Sequence, residues 1–85
     1  MANKVTGSFT GTGTSAAVSF GRSDVAVWGT FVGTVELQAY YAGEWQTVAT
    51  YTAPIMEAVE AGQPREYRLE CTAFTSGTIN YALGV

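Results

Sequence analysis

This sequence predicts an all-β fold: a small antiparallel β-sandwich, jelly-roll or immunoglobulin-like, of about eight short strands. Three observations carry that expectation. Apolar and polar residues alternate with period two along nearly every segment. Gly, Ser, Thr and Asp interrupt the alternation roughly every 8–12 residues. Two of the alternating runs are joined by a short loop holding Gly43, which reads as an antiparallel hairpin. The 85 residues make one domain, 1–85.

Val5, Gly7 and Phe9 fall on one side of a first strand, and Gly11-Thr12-Gly13-Thr14-Ser15 ends it. Ala16, Val18 and Phe20 alternate with Ala17 and Ser19 in a second. Gly21-Arg22-Ser23-Asp24 reads as a turn, since Gly frees φ and Ser and Asp can bond the backbone. Val25, Val27, Gly29 and Phe31, opposed by Ala26, Trp28, Thr30 and Val32, make a third strand, expected to be buried on both faces near Trp28. Gly33 marks a turn, a bulge or a close backbone approach. The hairpin follows. Val35, Leu37, Ala39 and Tyr41 alternate with Glu36, Gln38 and Tyr40, and Trp45 to Tyr51 returns after Ala42-Gly43-Glu44. One wet face explains the Glu/Gln row opposite the Val/Leu row.

Residues 53–66 hold helix formers, but any helix there is two turns at most and too short to stand alone. The preferred reading is an extended or edge strand with one helical turn, Glu57 and Glu60 being solvated edge charges. Tyr67 to Phe74 is a further strand, in which Tyr67 has the place of a corner tyrosine. Thr75-Ser76-Gly77-Thr78 turns the chain, and Ile79, Tyr81, Leu83 and Val85 alternate in the last strand.

Composition narrows the function. Charged residues are 13% of the chain, against about 25% in average proteins. Hydrophobic residues are 47% and mean hydropathy is +0.12. A chain this short buries only about 60–65% of its unfolded surface. Part of the apolar exterior is therefore expected to be covered by a partner. Net charge is −3, and the basic residues Lys4, Arg22, Arg65 and Arg68 are scattered, which argues against nucleic acid. No run of about 18 apolar residues suggests a membrane span. The N-terminal stretch shows no apolar region of a signal peptide. Cys71, the single cysteine, reads as a buried apolar thiol.

Chemistry finds little footing. There is no histidine, so the commonest general base and every Ser/His/Asp or Cys/His arrangement are missing. The seven carboxylates read as solvated strand faces, because so small a chain offers little groove to desolvate one for acid catalysis. Gly11-x-Gly13 precedes a strand where a phosphate loop needs a helix. Asp24 is the only aspartate, whereas calcium wants clustered oxygens. The expectation is no enzyme, no cofactor and no metal. What remains is aromatic: Trp28, Phe31, Tyr40 and Trp45 are the interface candidates, with Tyr40 on the polar row of its strand as the best exposed anchor. A sugar-stacking platform is the alternative use of the same rings.

Trp28-Gly29-Thr30-Phe31-Val32-Gly33-Thr34-Val35-Glu36-Leu37-Gln38 and the stretch from Tyr67-Arg68-Leu69-Glu70-Cys71 through Thr75-Ser76-Gly77-Thr78-Ile79-Asn80-Tyr81 resemble a family of small tailed-phage virion proteins of the head-associated type. The resemblance covers most of residues 18–83. Members often carry an Asp-Gly-Gly turn before the hairpin tryptophan, where this chain has the shorter, less acidic Ala42-Gly43-Glu44. The resemblance implies a capsid decoration (cement) protein on the outer surface of the virion, bound to the major capsid protein and to itself as a homotrimer, and made in the host cytoplasm. Head-fibre, neck or tail components are the neighbouring possibilities.

Overall fold

The computed structural model describes residues 4–84, with side chains for all of these except residues 61 and 62. The fold is all-β and antiparallel. Its strands are β1 (Lys4–Phe9), β2 (Gly13–Thr14), β3 (Val18–Trp28), β4 (Phe31–Tyr41), β5 (Glu44–Tyr51), β6 (Ile55–Gly77) and β7 (Ile79–Gly84). They form one sheet in the order β1-β7-β3-β6-β4-β5, with β2 against β6.

The strands are fewer and longer than expected because two pairs of expected strands are continuous. β6 runs for 23 residues. Its first part pairs with β3, from Val27↔Ile55 to Val18↔Tyr67. Its second part pairs with β4, from Ala39↔Tyr67 to Phe31↔Gly77. Tyr67 is the hinge between two half-sheets that share one strand. Val25, Val27, Ile79 and Leu83 of one half join Val35, Leu37 and Leu69 of the other in one core cluster. The sheet is thus bent so that its halves enclose a single core, an arrangement consistent with the expected sandwich.

Gly21-Arg22-Ser23-Asp24 is not a turn. These residues lie within β3, where the single Gly21 stands against residues 61–64 of β6 between the pairs Phe20↔Arg65 and Arg22↔Glu60. The turn-forming residues serve a large bulge, which bends the strand without breaking it. Pro64 is tolerated there because a bulge residue need not donate to the ladder. The segment from residue 55 is strand throughout and has no helical turn. Arg22 and Glu60 form an exposed ion pair at 3.0 Å beside the bulge.

The halves are joined at a corner crossed twice by the chain. Gly29-Thr30 connects β3 to β4, and Thr78 connects β6 to β7. Trp28 pairs with Asn80 on one side of the corner and Phe31 with Gly77 on the other. The Thr78 amide donates to the Thr30 carbonyl at 3.0 Å and ties the two connections together. Gly29 (φ 116°) and Gly77 (φ 95°) take backbone conformations closed to most side chains. Residues 28–38 and 67–81 are therefore largely one ribbon: β3–β4 against β6–β7, bent at this corner.

Leu69, Ile79, Leu83, Val25, Val27 and Val35 are fully buried. Each contributes on the order of 1.5–3 kcal/mol by leaving water. Phe20 stacks on Tyr67 at 4.5 Å and Phe9 on Tyr81 at 4.7 Å. Tyr67 thus acts through its ring, packed at the hinge. Cys71 is buried as expected; its Sγ–H donates to the Ala73 carbonyl at 3.3 Å, and burial pushes the thiol up from its ordinary pKa. Gly33 sits at a register shift, and a Cβ on it would meet the Ala73 carbonyl at 2.7 Å, so it marks both a bulge and a close approach.

Candidate interaction faces

Alternation along β4 sends Val35, Leu37 and Ala39 inward and Glu36, Gln38 and Tyr40 outward. Register then fixes their neighbours. Gln38 lies between Arg68 of β6 and Thr47 of β5, Glu36 lies beside Glu70, and Tyr40 faces Trp45 across the hairpin. The outward face of β6-β4-β5 is therefore built from three strands, each adding one residue per row.

Its polar groups form a connected array. Arg68 Nε donates to Gln38 Oε1 at 2.7 Å, and Gln38 Nε2 donates to Glu70 Oε1 at 2.7 Å and to Glu36 Oε1 at 3.4 Å. Thr47 Oγ1 donates to Glu36 Oε1 at 2.8 Å. Glu36 and Glu70 stand directly opposite each other, a repulsive cross-strand pair. The Gln38 amide, buried beneath its neighbours, donates to both carboxylates and offsets that repulsion.

Aromatic rings border the array. Tyr40 meets Trp45 edge-on with centroids 5.3 Å apart, and the Arg68 guanidinium lies 4.3 Å from the Trp45 centroid. At the hairpin end Arg65 stands 5.3 Å from the exposed Tyr41 ring. Tyr40 is 43% exposed. Tryptophan, tyrosine and arginine are the side chains that dominate binding energy at protein interfaces. Here they are held by stacking and hydrogen bonds before any partner arrives, which lowers the ordering cost of binding.

The other half-sheet turns outward a different surface. A trough of about 570 Å³ runs over β7 and β3. Ala26, Ala82 and Gly84 form its floor, Trp28 and Met56 its walls, and Lys4 and Asp24 its charged end. The third strand is expected to be buried on both faces near Trp28; instead Trp28 is 47% exposed, because alternation from Val25 and Val27 places it outward at the end of β3. Met56 is 77% exposed.

Of the four interface candidates, the structure brings Tyr40 and Trp45 together and puts Trp28 on the other half-sheet. Phe31 packs against the core. Sequence reasoning missed Arg68, Arg65 and Gln38. Gln38 was legible as an outward residue, but its burial depends on which strands flank it. Among the described residues no group of three or more His, Cys, Asp or Glu side chains is placed to hold a metal ion. No protein family, curated protein or solved structure matches this chain in comparisons.

Proposed function

We propose that the protein is a structural component of a phage particle, a capsid decoration (cement) protein that binds the outer face of the major capsid protein and stabilises the shell. The observation that carries this reading is the pre-ordered Tyr40–Trp45–Arg68 array on an outward strand face. It offers a docking surface of hot-spot residue types on a rigid hairpin, in a 9.0 kDa chain. The resemblance of residues 28–38 and 67–81 to phage head proteins supplies the partner, and it implies trimers. A shell repeats each site many times, so modest contacts per copy suffice for retention.

The test is to mix purified protein with undecorated shells and count bound copies. Saturating binding at a fixed number per shell, lost in Trp45→Ala and Arg68→Ala, supports the reading. Absence of binding by the wild-type chain overturns it. Location by electron microscopy on the neck, tail or a fibre would move the role there. A second reading has one observation in its favour: the Tyr40 ring shares its outward strand face with hydrogen-bonded carboxylates and an amide, the composition of a sugar-binding platform. Glycan-array binding that disappears in Tyr40→Ala is its signature.

A further inference from the structure

We infer that the outer face of β1-β7-β3 is a self-association surface, covered by the same face of a second copy across a two-fold axis running along β7. The inference deepens the assembly reading, and its stoichiometry of two departs from the three that the resemblance implies.

Charge and size complementarity carry it. Lys4 and Asp24 both pair with Gly84, one from each side of β7. They occupy one row of the outer face, with opposite charges about 10 Å apart at twice the strand spacing. They form no ion pair with each other. Among the described residues the single ion pair is Arg22–Glu60, and neither Lys4 nor Asp24 takes part in one. A two-fold axis along β7 exchanges the two sides of that strand. It brings Lys4 over the partner's Asp24 and Asp24 over the partner's Lys4, so one row of charges is satisfied twice.

The neighbouring rows fit the same operation. Asn80, Ala82 and Gly84 of β7 lie on the axis, each meeting its own copy, and the small Ala82 and Gly84 leave room for the side chains on either side. Trp28 and Ser8 both pair with Asn80 from opposite sides, so the axis sets the large Trp28 against the partner's Ser8. Large therefore meets small at the rim. Isologous contact of this kind closes at two copies and leaves no sticky remainder. It also covers the exposed Trp28, which a charge-poor monomer would leave in water.

The experiment is light scattering at micromolar concentration with charge-reversed chains. The wild type is expected at twice 9.0 kDa. Lys4→Asp alone and Asp24→Lys alone each place like charges in both contacts and are expected as monomers. An equimolar mixture of the two single variants is expected to recover the dimer, because in the mixed pair every row 4–24 contact is again opposite in sign. The double variant Lys4→Asp/Asp24→Lys is expected to dimerise by itself. A wild-type mass of one or three chains, or a mixture that remains monomeric, overturns the inference. Both residues are exposed strand positions, so folding is not at stake, and circular dichroism of each variant checks it. Shell binding is measured separately; its failure would strike the decoration reading and leave the dimer result standing.

Discussion

The guanidinium of Arg68 lies over Trp45, its Cζ 4.3 Å from the ring centroid, while its Nε donates to Gln38 Oε1 at 2.7 Å. One side chain thereby fixes an aromatic ring on β5 and an amide on β4 at once. The Gln38 amide, so oriented, turns its Nε2 toward Glu70 and Glu36. The array acts as a unit whose members orient one another.

Arg68→Lys keeps the charge and removes the planar fork, so it separates the two roles. The variant is expected to lose about 0.5–1.5 kcal/mol, the net worth of one hydrogen bond with weakened stacking. Urea denaturation measures this as a lower midpoint at unchanged slope. Shell binding is expected to fall as well, although net charge is unaltered. Binding equal to wild type would show that the ordered array is not what docks.

Ala42 adopts φ 57° and Gly43 φ 85° in the two-residue connection between Tyr41 and Glu44. Positive φ at both central positions is the turn that matches the twist of a hairpin, and Asn-Gly is its preferred sequence. Alanine in that region is strained by its Cβ, at roughly 1 kcal/mol. Ala42→Asn is expected to raise stability by about 0.5–1 kcal/mol, which in a domain of this size is several degrees of Tm by calorimetry. No gain would mean that the turn adopts another conformation in solution.

The corner at Thr30 and Thr78 makes a sharper prediction. A Cβ on Gly77 would collide with the Thr30 carbonyl and the Phe31 backbone, and the φ of 95° is strained for alanine even with space. Gly77→Ala is expected to cost more than about 2 kcal/mol, placing it among the most damaging small substitutions in the chain. Gly43→Ala is the control, since a Cβ there meets nothing within 4 Å although its φ is also positive. A Gly77→Ala chain as stable as Gly43→Ala, by thermal melting, would contradict the corner geometry.

Legibility in the sequence followed the range of the forces involved. The hairpin was readable because its determinants are local: Val35, Leu37 and Ala39 alternate with Glu36 and Gln38, and Gly43 supplies the turn. The continuity of β3 and β6 was not readable. Gly21, Ser23 and Pro64 carry the chemistry of a break, and only the paired strand shows that they meet in a bulge. The expected two-faced burial near Trp28 does not hold, because parity with the buried Val25 and Val27 sends Trp28 outward, as its place among the interface candidates required. Gln38 lies some thirty residues from Arg68 and Glu70, as the Gln38–Glu70 bond spans 32 positions, and no local pattern joins it to them. Sites built across strands emerge only when register is known.

Tyr51 gives a dependence on pH. Its ring is buried, and its hydroxyl donates to Glu57 Oε2 at 3.0 Å, linking β5 to the first part of β6. Burial pushes the phenol well above its ordinary value of 10.0, and the hydrogen bond to Glu57 and its negative charge push the same way. The folded chain therefore keeps this proton at a pH where the unfolded chain releases it. Because the unfolded state then binds fewer protons, stability is fully present below pH 10 and falls as pH rises beyond it. Tyr51→Phe removes the titrating group and also the bond to Glu57. It is expected to be less stable than wild type by about 1 kcal/mol at pH 8, and to lose less stability than wild type between pH 8 and pH 11. Urea midpoints at the two pH values measure both effects. Parallel losses in the two proteins would mean that Tyr51 titrates normally and that the contact with Glu57 is absent in solution.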